Sequence, residues 1–285
     1  MINVCIIGFG RVGSHLYYAL KKTGKFKIQR ILKNSGFKYY HSALSKSNLI
    51  FICTGDKNIS KAVLKLHQSG INLEDKIIFH TSGAKNSEAL SALKKEGVIT
   101  GSFHPVQTFV RAAKKYSGSF NNIFIAVEGN AGAVKTGFKI AQLIKSKPFE
   151  LSKKQKVFHH ICCVISSNYI VTLMNQAEGA YRKSTGKKIL KNGFNNINFF
   201  DIYKPLVEQT LRNLFKNGSI SSLTGPIERN DADTLELHLK SMNRSAPEIL
   251  PAYIIMGIET VKLALKKKSL SKASALNLIK LLNKY

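Results

Sequence analysis

The chain has 285 residues, with 44 Lys and Arg against 16 Asp and Glu, a formal charge of +28 at pH 7. At roughly 100–200 residues per domain this is one large domain or two modest ones; the 44% hydrophobic content excludes a disordered chain, and 20 Gly and 6 Pro without a period exclude collagen-like or Pro-rich repeats. The basic excess points to an anionic partner, yet seven of the 44 cations are Arg, there is no Trp, and no basic run carries interleaved aromatics, so the Lys excess reads as a solvated surface and no nucleic-acid partner is expected.

In chain order, Ile2 to Ile7 reads as a strand, Arg11 to Lys22 as a helix, Phe26 to Leu32 and Leu49 to Cys53 as strands, and Ile59 to His67 as a helix. Ile77 to His80 and Val98 to Phe103 read as strands around a helix at Ser87 to Lys95, followed by the strand Ile123 to Val127 and the helix Ala131 to Ile144. Alternation of this kind predicts βαβ units: an α/β fold, a Rossmann doubly wound parallel sheet. After Pro148 no strand is expected. Long helices follow at Lys153 to Tyr181, Phe199 to Phe215, Asp231 to Ser241, Pro247 to Lys266 and Ser271 to Leu282. The expected organisation is therefore 1–150 as an α/β Rossmann domain and 151–285 as an all-helical second domain.

Cys5, Cys53, Cys162 and Cys163 form no CxxC and no Cys/His spacing for zinc, so no metal is expected and buried free thiols in a reducing compartment are. The N-terminus runs straight into a strand, and the most apolar stretch, Ile161 to Met174, is interrupted by Ser166, Ser167 and Asn168 and is too short to span a bilayer. A cytoplasmic protein without a membrane partner is expected.

Gly8-Phe9-Gly10-Arg11-Val12-Gly13 is G-x-G-x-x-G placed between a strand and a helix, the context that makes the pattern a dinucleotide site. Gly8 permits the tight turn, Gly10 a close approach to pyrophosphate and Gly13 helix–strand packing, and the helix N-terminus faces the phosphates. At the end of the second strand, where NAD-binding chains place an acid for the ribose 2′-OH, the sequence is Arg30-Ile31-Leu32-Lys33-Asn34-Ser35. Lys33, Asn34 and Ser35 suit a 2′-phosphate, with Arg11 beside the adenine, so NADP is preferred over NAD; otherwise Lys33 is solvated. Thr54 and Gly55, at a strand's carboxyl end, are expected to meet the cofactor, and Asp56 to cap the next helix.

Two strand ends carry imidazoles, His80-Thr81-Ser82-Gly83 and His104-Pro105-Val106-Gln107. Reduction of a ketone needs a proton for the developing alkoxide, which an imidazole can hold near neutral pH. His104 and His80 are candidates, with Gln107 or Ser82 as donors to the carbonyl; the alternative for either His is a backbone hydrogen bond. His160 and Asn168 share a face if the helix is regular, and Asn168 either orients substrate or bonds another helix. Thr224 and Arg229 either meet a substrate carboxylate or belong to an interhelical turn.

The segments GFGRVG, HTSGA, GSFHPVQTF, FHHICCVISSNYIVTL and LTGPIERNDADTLELHL together resemble the Rossmann-like family with C-terminal domain of unknown function 2520, over nearly the whole chain. That family is similar in plan to the 6-phosphogluconate dehydrogenase-like reductases, ketopantoate reductase and pyrroline-5-carboxylate reductase among them. The resemblance implies a helical domain that forms a homodimer and completes a site beneath the nicotinamide. One branch implies the 2-dehydropantoate 2-reductase reaction, ketopantoate to pantoate, in pantothenate biosynthesis. Ordinary ketopantoate reductases carry a Lys one turn before the helix Asn; here that position is Val164, so Asn168 is matched by place alone and His104 or His160 must supply the proton. The alternatives are an imine or deazaflavin-dependent reductase and a non-catalytic NADP-binding regulator.

Overall fold

The computed structural model describes residues 1–31, 37–110, 118–185 and 198–285. Seven strands form one sheet: β1 Ile2–Ile7, β2 Phe26–Ile31, β3 Leu49–Ile52, β4 Ile77–His80, β5 Ile99–Pro105, β6 Phe124–Gly129 and β7 Lys147–Glu150, in the spatial order β2-β1-β3-β4-β5-β6-β7. Strands β1 to β5 pair in parallel, β6 is antiparallel to β5, and β7 is parallel to β6. The central strands are continuous apolar runs because both faces are covered. On one face, α1 (Arg11–Lys22) and α4 (Ala131–Leu143) bury Leu16, Leu20 and Ile140 against Phe51, Phe79 and Phe103, whose ring centroids lie 5.4–5.8 Å apart. On the other, α2 (Phe37–Ser45), α3 (Ile59–His67) and the 3₁₀ segment Ser87–Glu96 bury Leu44, Val63, Leu66 and Leu90. The chain is thus the expected mostly parallel, doubly wound Rossmann-like sheet followed by helices.

Two elements escaped the sequence reading. Helix α2 is short and lies just after the undescribed residues 32–36. Strand β7, KPFE, runs past Pro148, where no further strand is expected. Its Pro148 argues against a central strand, and β7 is indeed at the sheet's edge, where a missing N–H is tolerated.

Compact units divide at Tyr169/Ile170, later than the expected 150/151 boundary. The reason is β7 and α5 (Gln155–Cys163), which continues through a π turn at Val164–Asn168 into α6 (Tyr169–Thr185). The helical path therefore runs uninterrupted through Ser166, Ser167 and Asn168, and the expectation of a segment too short to span a bilayer is corrected. Among the described residues Gln155–Lys183 is long and apolar enough to cross a membrane by length and composition, with a mean hydropathy of 1.5 over its most apolar window.

In the second unit, α7 (Phe199–Ser222) opens with a capping box between Asn198 and Asp201 and kinks at Gly218, where φ is 77°. Helices α8 (Ala232–Ser245), α9 (Leu250–Lys267) and α10 (Lys272–Leu282) enclose Leu235, Leu239, Val261, Ala264 and Leu278. Asp231 caps α8 by accepting from the Thr234 N–H at 3.0 Å. Thr224 and Arg229 are exposed in the turn before it.

Candidate functional site

The carboxyl ends of the parallel strands carry two unlike constructions. The first is the Gly8–Gly13 turn between β1 and α1. Gly8 has φ of 94°, and a Cβ there would lie 3.0 Å from Thr54 Cγ2 and 3.1 Å from Cys53 backbone. A Cβ on Gly13 would sit 2.1 Å from the Gly8 carbonyl oxygen, so no larger residue fits. Gly10, by contrast, faces open space within 4 Å, caps α1 without a side-chain bond, and precedes a first turn without acids. Free N–H groups and the positive helix end are thereby presented to an anion. Phe9 and Val12 are half-buried around the turn, while Arg11 is exposed. Thr54 Oγ1 is buried without a hydrogen-bond partner beside this turn, an orphan that a cofactor hydroxyl or phosphate satisfies. These features fit a dinucleotide. Arg30 holds its guanidinium 5.0 Å from the Phe9 ring centroid and 4.9 Å from that of Tyr17, which places a fixed cation beside the turn. Lys33, Asn34 and Ser35 lie outside the described residues. Gly55 is exposed, and Asp56 does not cap α3: its Oδ2 accepts from Ser82 Oγ at 2.8 Å.

The second construction is ionisable. Helix α5 sets Lys156, His159, His160 and Cys163 at spacings of i, i+3, i+4 and i+7, one helical face. Lys156 is wholly buried, whereas the apolar neighbours Val157, Phe158 and Ile161 are 56%, 72% and 44% exposed. The helix is amphipathic with its faces exchanged. Lys156 Nζ donates to the Ser82 carbonyl at 3.0 Å and to Ser102 Oγ at 2.8 Å. Burial pulls its pKa down to about 8, against the raising influence of the Glu128 and Asp56 carboxylates. Glu128, itself buried, accepts the Ser87 N–H at 2.6 Å and Ser87 Oγ at 2.7 Å.

His104 and His159 meet Nδ1 to Nε2 at 3.3 Å, and Cys163 Sγ lies 3.7 Å from the same His159 Nε2. His160 Nδ1 is buried and unpartnered. A Cβ on Gly83 would stand 2.6 Å from that atom and 2.8 Å from His104 Nε2, so the backbone at Gly83 is where the two imidazoles converge.

The structure corrects the roles expected of several residues. Burial, with the nearby Lys156 and His159 charges, pushes His104 down to about 3, so it is neutral at pH 7 and holds no acidic proton. His80 is fully buried and pushed down to about 4 by burial. Its Nδ1 accepts from the Ser82 N–H at 3.2 Å and its Nε2–H donates to the Asn86 carbonyl at 2.9 Å, which makes it a brace for the 80–86 turn. Gln107 is exposed and turns back on its own segment, where its Oε1 accepts the Thr108 N–H at 2.8 Å. Asn168 is exposed at the end of the π turn. The i→i+5 turn breaks the regular spacing that would have aligned it with His160. Lys156 was missed altogether, although its spacing to His159, His160 and Cys163 was present to be read. As expected, Cys5 and Cys53 are buried free thiols, raised to about 12 by desolvation.

Residues 1–105 match the Rossmann-like domain, and residues 123–260 match the domain of unknown function DUF2520. No curated protein matches the chain. Among solved structures, a protein from Thermotoga maritima is similar at 22% identity and a TM-score of 0.67, covering 93% of this chain and 99% of that one. A putative NADP oxidoreductase from Bacteroides fragilis is similar at 19% identity and a TM-score of 0.63, covering 94% and 97%. The pyrroline carboxylate reductase of Plasmodium falciparum with NADP bound is similar at 11% identity and a TM-score of 0.54, covering 98% of each chain. The fold is therefore one shared with NAD(P)-dependent oxidoreductases.

Proposed function

We propose that the chain is an NADPH-dependent reductase of a small 2-oxo acid, with ketopantoate the first substrate to test. The observation that carries this reading is the buried Lys156, its pKa lowered to about 8, among polar groups at the same carboxyl end of the parallel strands as the Gly-rich turn. A lysine so placed holds a proton at neutral pH and releases it readily, which reduction of a carbonyl requires and reduction of an already protonated imine does not. The nicotinamide dinucleotide, when bound, supplies hydride. The Gly8–Gly13 turn would hold its pyrophosphate, Thr54 Oγ1 a neighbouring oxygen, and Arg30, with Lys33, Asn34 and Ser35, its 2′-phosphate. Lys156 stores the proton behind the half-buried imidazoles, while the ring N–H groups of His104 and His160 are offered to the substrate oxygen.

The test is a spectrophotometric screen of 2-oxo acids and cyclic imines with NADPH and NADH. Oxidation of NADPH by ketopantoate supports the reading. Turnover of imines alone, with Lys156→Met retaining full rate, replaces it with the imine reductase that the similarity to pyrroline carboxylate reductase favours.

We also read the chain as a homodimer. Large apolar side chains stand exposed on α6 and α7, among them Val171 at 69%, Leu206 at 64% and Phe215 at 82%. A second copy, and not a bilayer, suits a helical run that carries the buried Lys156 near its start and Ser166, Ser167 and Asn168 at its centre. Light scattering at micromolar concentration should give twice the 31.6 kDa chain mass; a detergent-free monomer would reject it.

A further inference from the structure

His104, His159 and Cys163 come from two separate elements, β5 and α5, and each offers one ligand atom, all three within 4.8 Å of one another. A tetrahedral zinc-class ion, bound at about 2.0–2.1 Å to nitrogen and about 2.3 Å to sulfur, sets its nitrogen ligands about 3.3 Å apart and nitrogen and sulfur about 3.6 Å apart. The observed separations are 3.3 Å and 3.7 Å. Hydrogen bonding explains the trio less well. His159 Nε2 is approached by both His104 Nδ1 and Cys163 Sγ, and a single lone pair or a single proton must serve both. A cation bound at the centre of the three uses one lone pair from each.

We propose that His104 Nδ1, His159 Nε2 and Cys163 Sγ form a His₂Cys site for a zinc-class divalent ion, with its fourth position left to water or an exogenous oxygen ligand. Three protein ligands with an open fourth position is the arrangement of reactive rather than structural zinc. The Cys163 thiolate cancels one of the ion's two charges, and the Asp56 and Glu128 carboxylates stand on the Lys156 side of the cluster. This reverses the expectation of no metal. Linear spacing among the cysteines conceals the site, because His104 lies 55 residues before His159. The proposal stands whether or not the chain is a reductase.

The test uses the full chain, stripped with chelator and titrated with cobalt(II) chloride, a spectroscopic substitute for zinc, with NADPH binding followed by fluorescence on the same samples. One equivalent of cobalt should produce visible ligand-field bands of tetrahedral intensity and a near-ultraviolet sulfur-to-cobalt charge-transfer band. Cys163→Ser should abolish the charge-transfer band, and His159→Gln should weaken cobalt binding by at least about tenfold. Cys162→Ser, at the exposed neighbour, should change neither. Absence of both bands in the wild-type chain at one equivalent, or their equal loss in Cys162→Ser, overturns the site. Because NADPH binding is read separately, its loss bears on the reductase reading alone.

Discussion

The two constructions at the carboxyl ends of the strands are made of different material. The Gly8–Gly13 end is backbone: glycines chosen for what cannot be there, an uncapped helix terminus, and one orphan hydroxyl on Thr54. The Lys156–His104 end is side chain: a buried ammonium, three imidazoles and a thiol held at short range by a strand and a helix. Backbone recognition is insensitive to pH and intolerant of added carbon atoms. The ionisable cluster is the reverse, since each group's charge depends on the others and on burial. In the proposed function the first end holds and the second reacts, and that separation should show when either end is disturbed.

The largest disturbance is acid. His80 and His104 are pushed down to about 4 and about 3 in the folded chain, so below the ordinary histidine pKa the unfolded chain binds more protons. Stability should therefore fall as pH drops from about 6.5 toward 3, by roughly 3 kcal/mol or more for each group, readable in urea titrations at stepped pH. A flat profile would mean that these imidazoles are hydrated. Next is Lys156→Met, for which kcat should fall by about 10²–10⁴ while NADPH affinity holds. On the proposed reading, kcat/KM of the unaltered chain should decline as pH rises through about 8, and the variant should lose that inflection. Gly13→Ala attacks the other end. With its Cβ 2.1 Å from the Gly8 oxygen it should cost about 1–3 kcal/mol of stability and weaken NADPH binding, measured by thermal melts with and without cofactor. The smallest effect is expected from Arg30→Ala, a loss of roughly tenfold in NADPH affinity with NADH affinity unchanged. Equal losses for both nucleotides would remove Arg30 from the 2′-phosphate.

The same contrast governs what could be read from the sequence. The Gly-rich end depends on local order, a strand, three glycines and the start of a helix within a dozen residues, and each was legible. The parallel core was legible too, because runs such as LIFI are apolar throughout. The reacting end was only half visible. His104 was singled out at a strand end and His160 on a helix face shared with Asn168, but charge on His104 was inferred without knowing that burial and Lys156 suppress it. Lys156 was hidden by two assumptions: that a helix buries its apolar face, and that the relevant lysine stands one turn before Asn168. On α5 the exposed side is apolar and the buried side carries the charge. Such an inversion depends on what covers the helix and on what it covers, which no local periodicity records.

Strand β7 bears on how copies of this chain meet. It is four residues long, and the Lys147 and Leu151 N–H groups point inward to the Ile123 and Val127 carbonyls of the sheet. With a period of two, residues 148 and 150 point outward. Pro148 has no N–H to offer, which leaves Glu150, whose charge repels a like copy of itself. This margin of the sheet is blunted against further strand addition, and so against fibrous growth and amyloid-like templating. In the proposed homodimer, contact between copies falls instead to the apolar helices, where it can close on itself and stop.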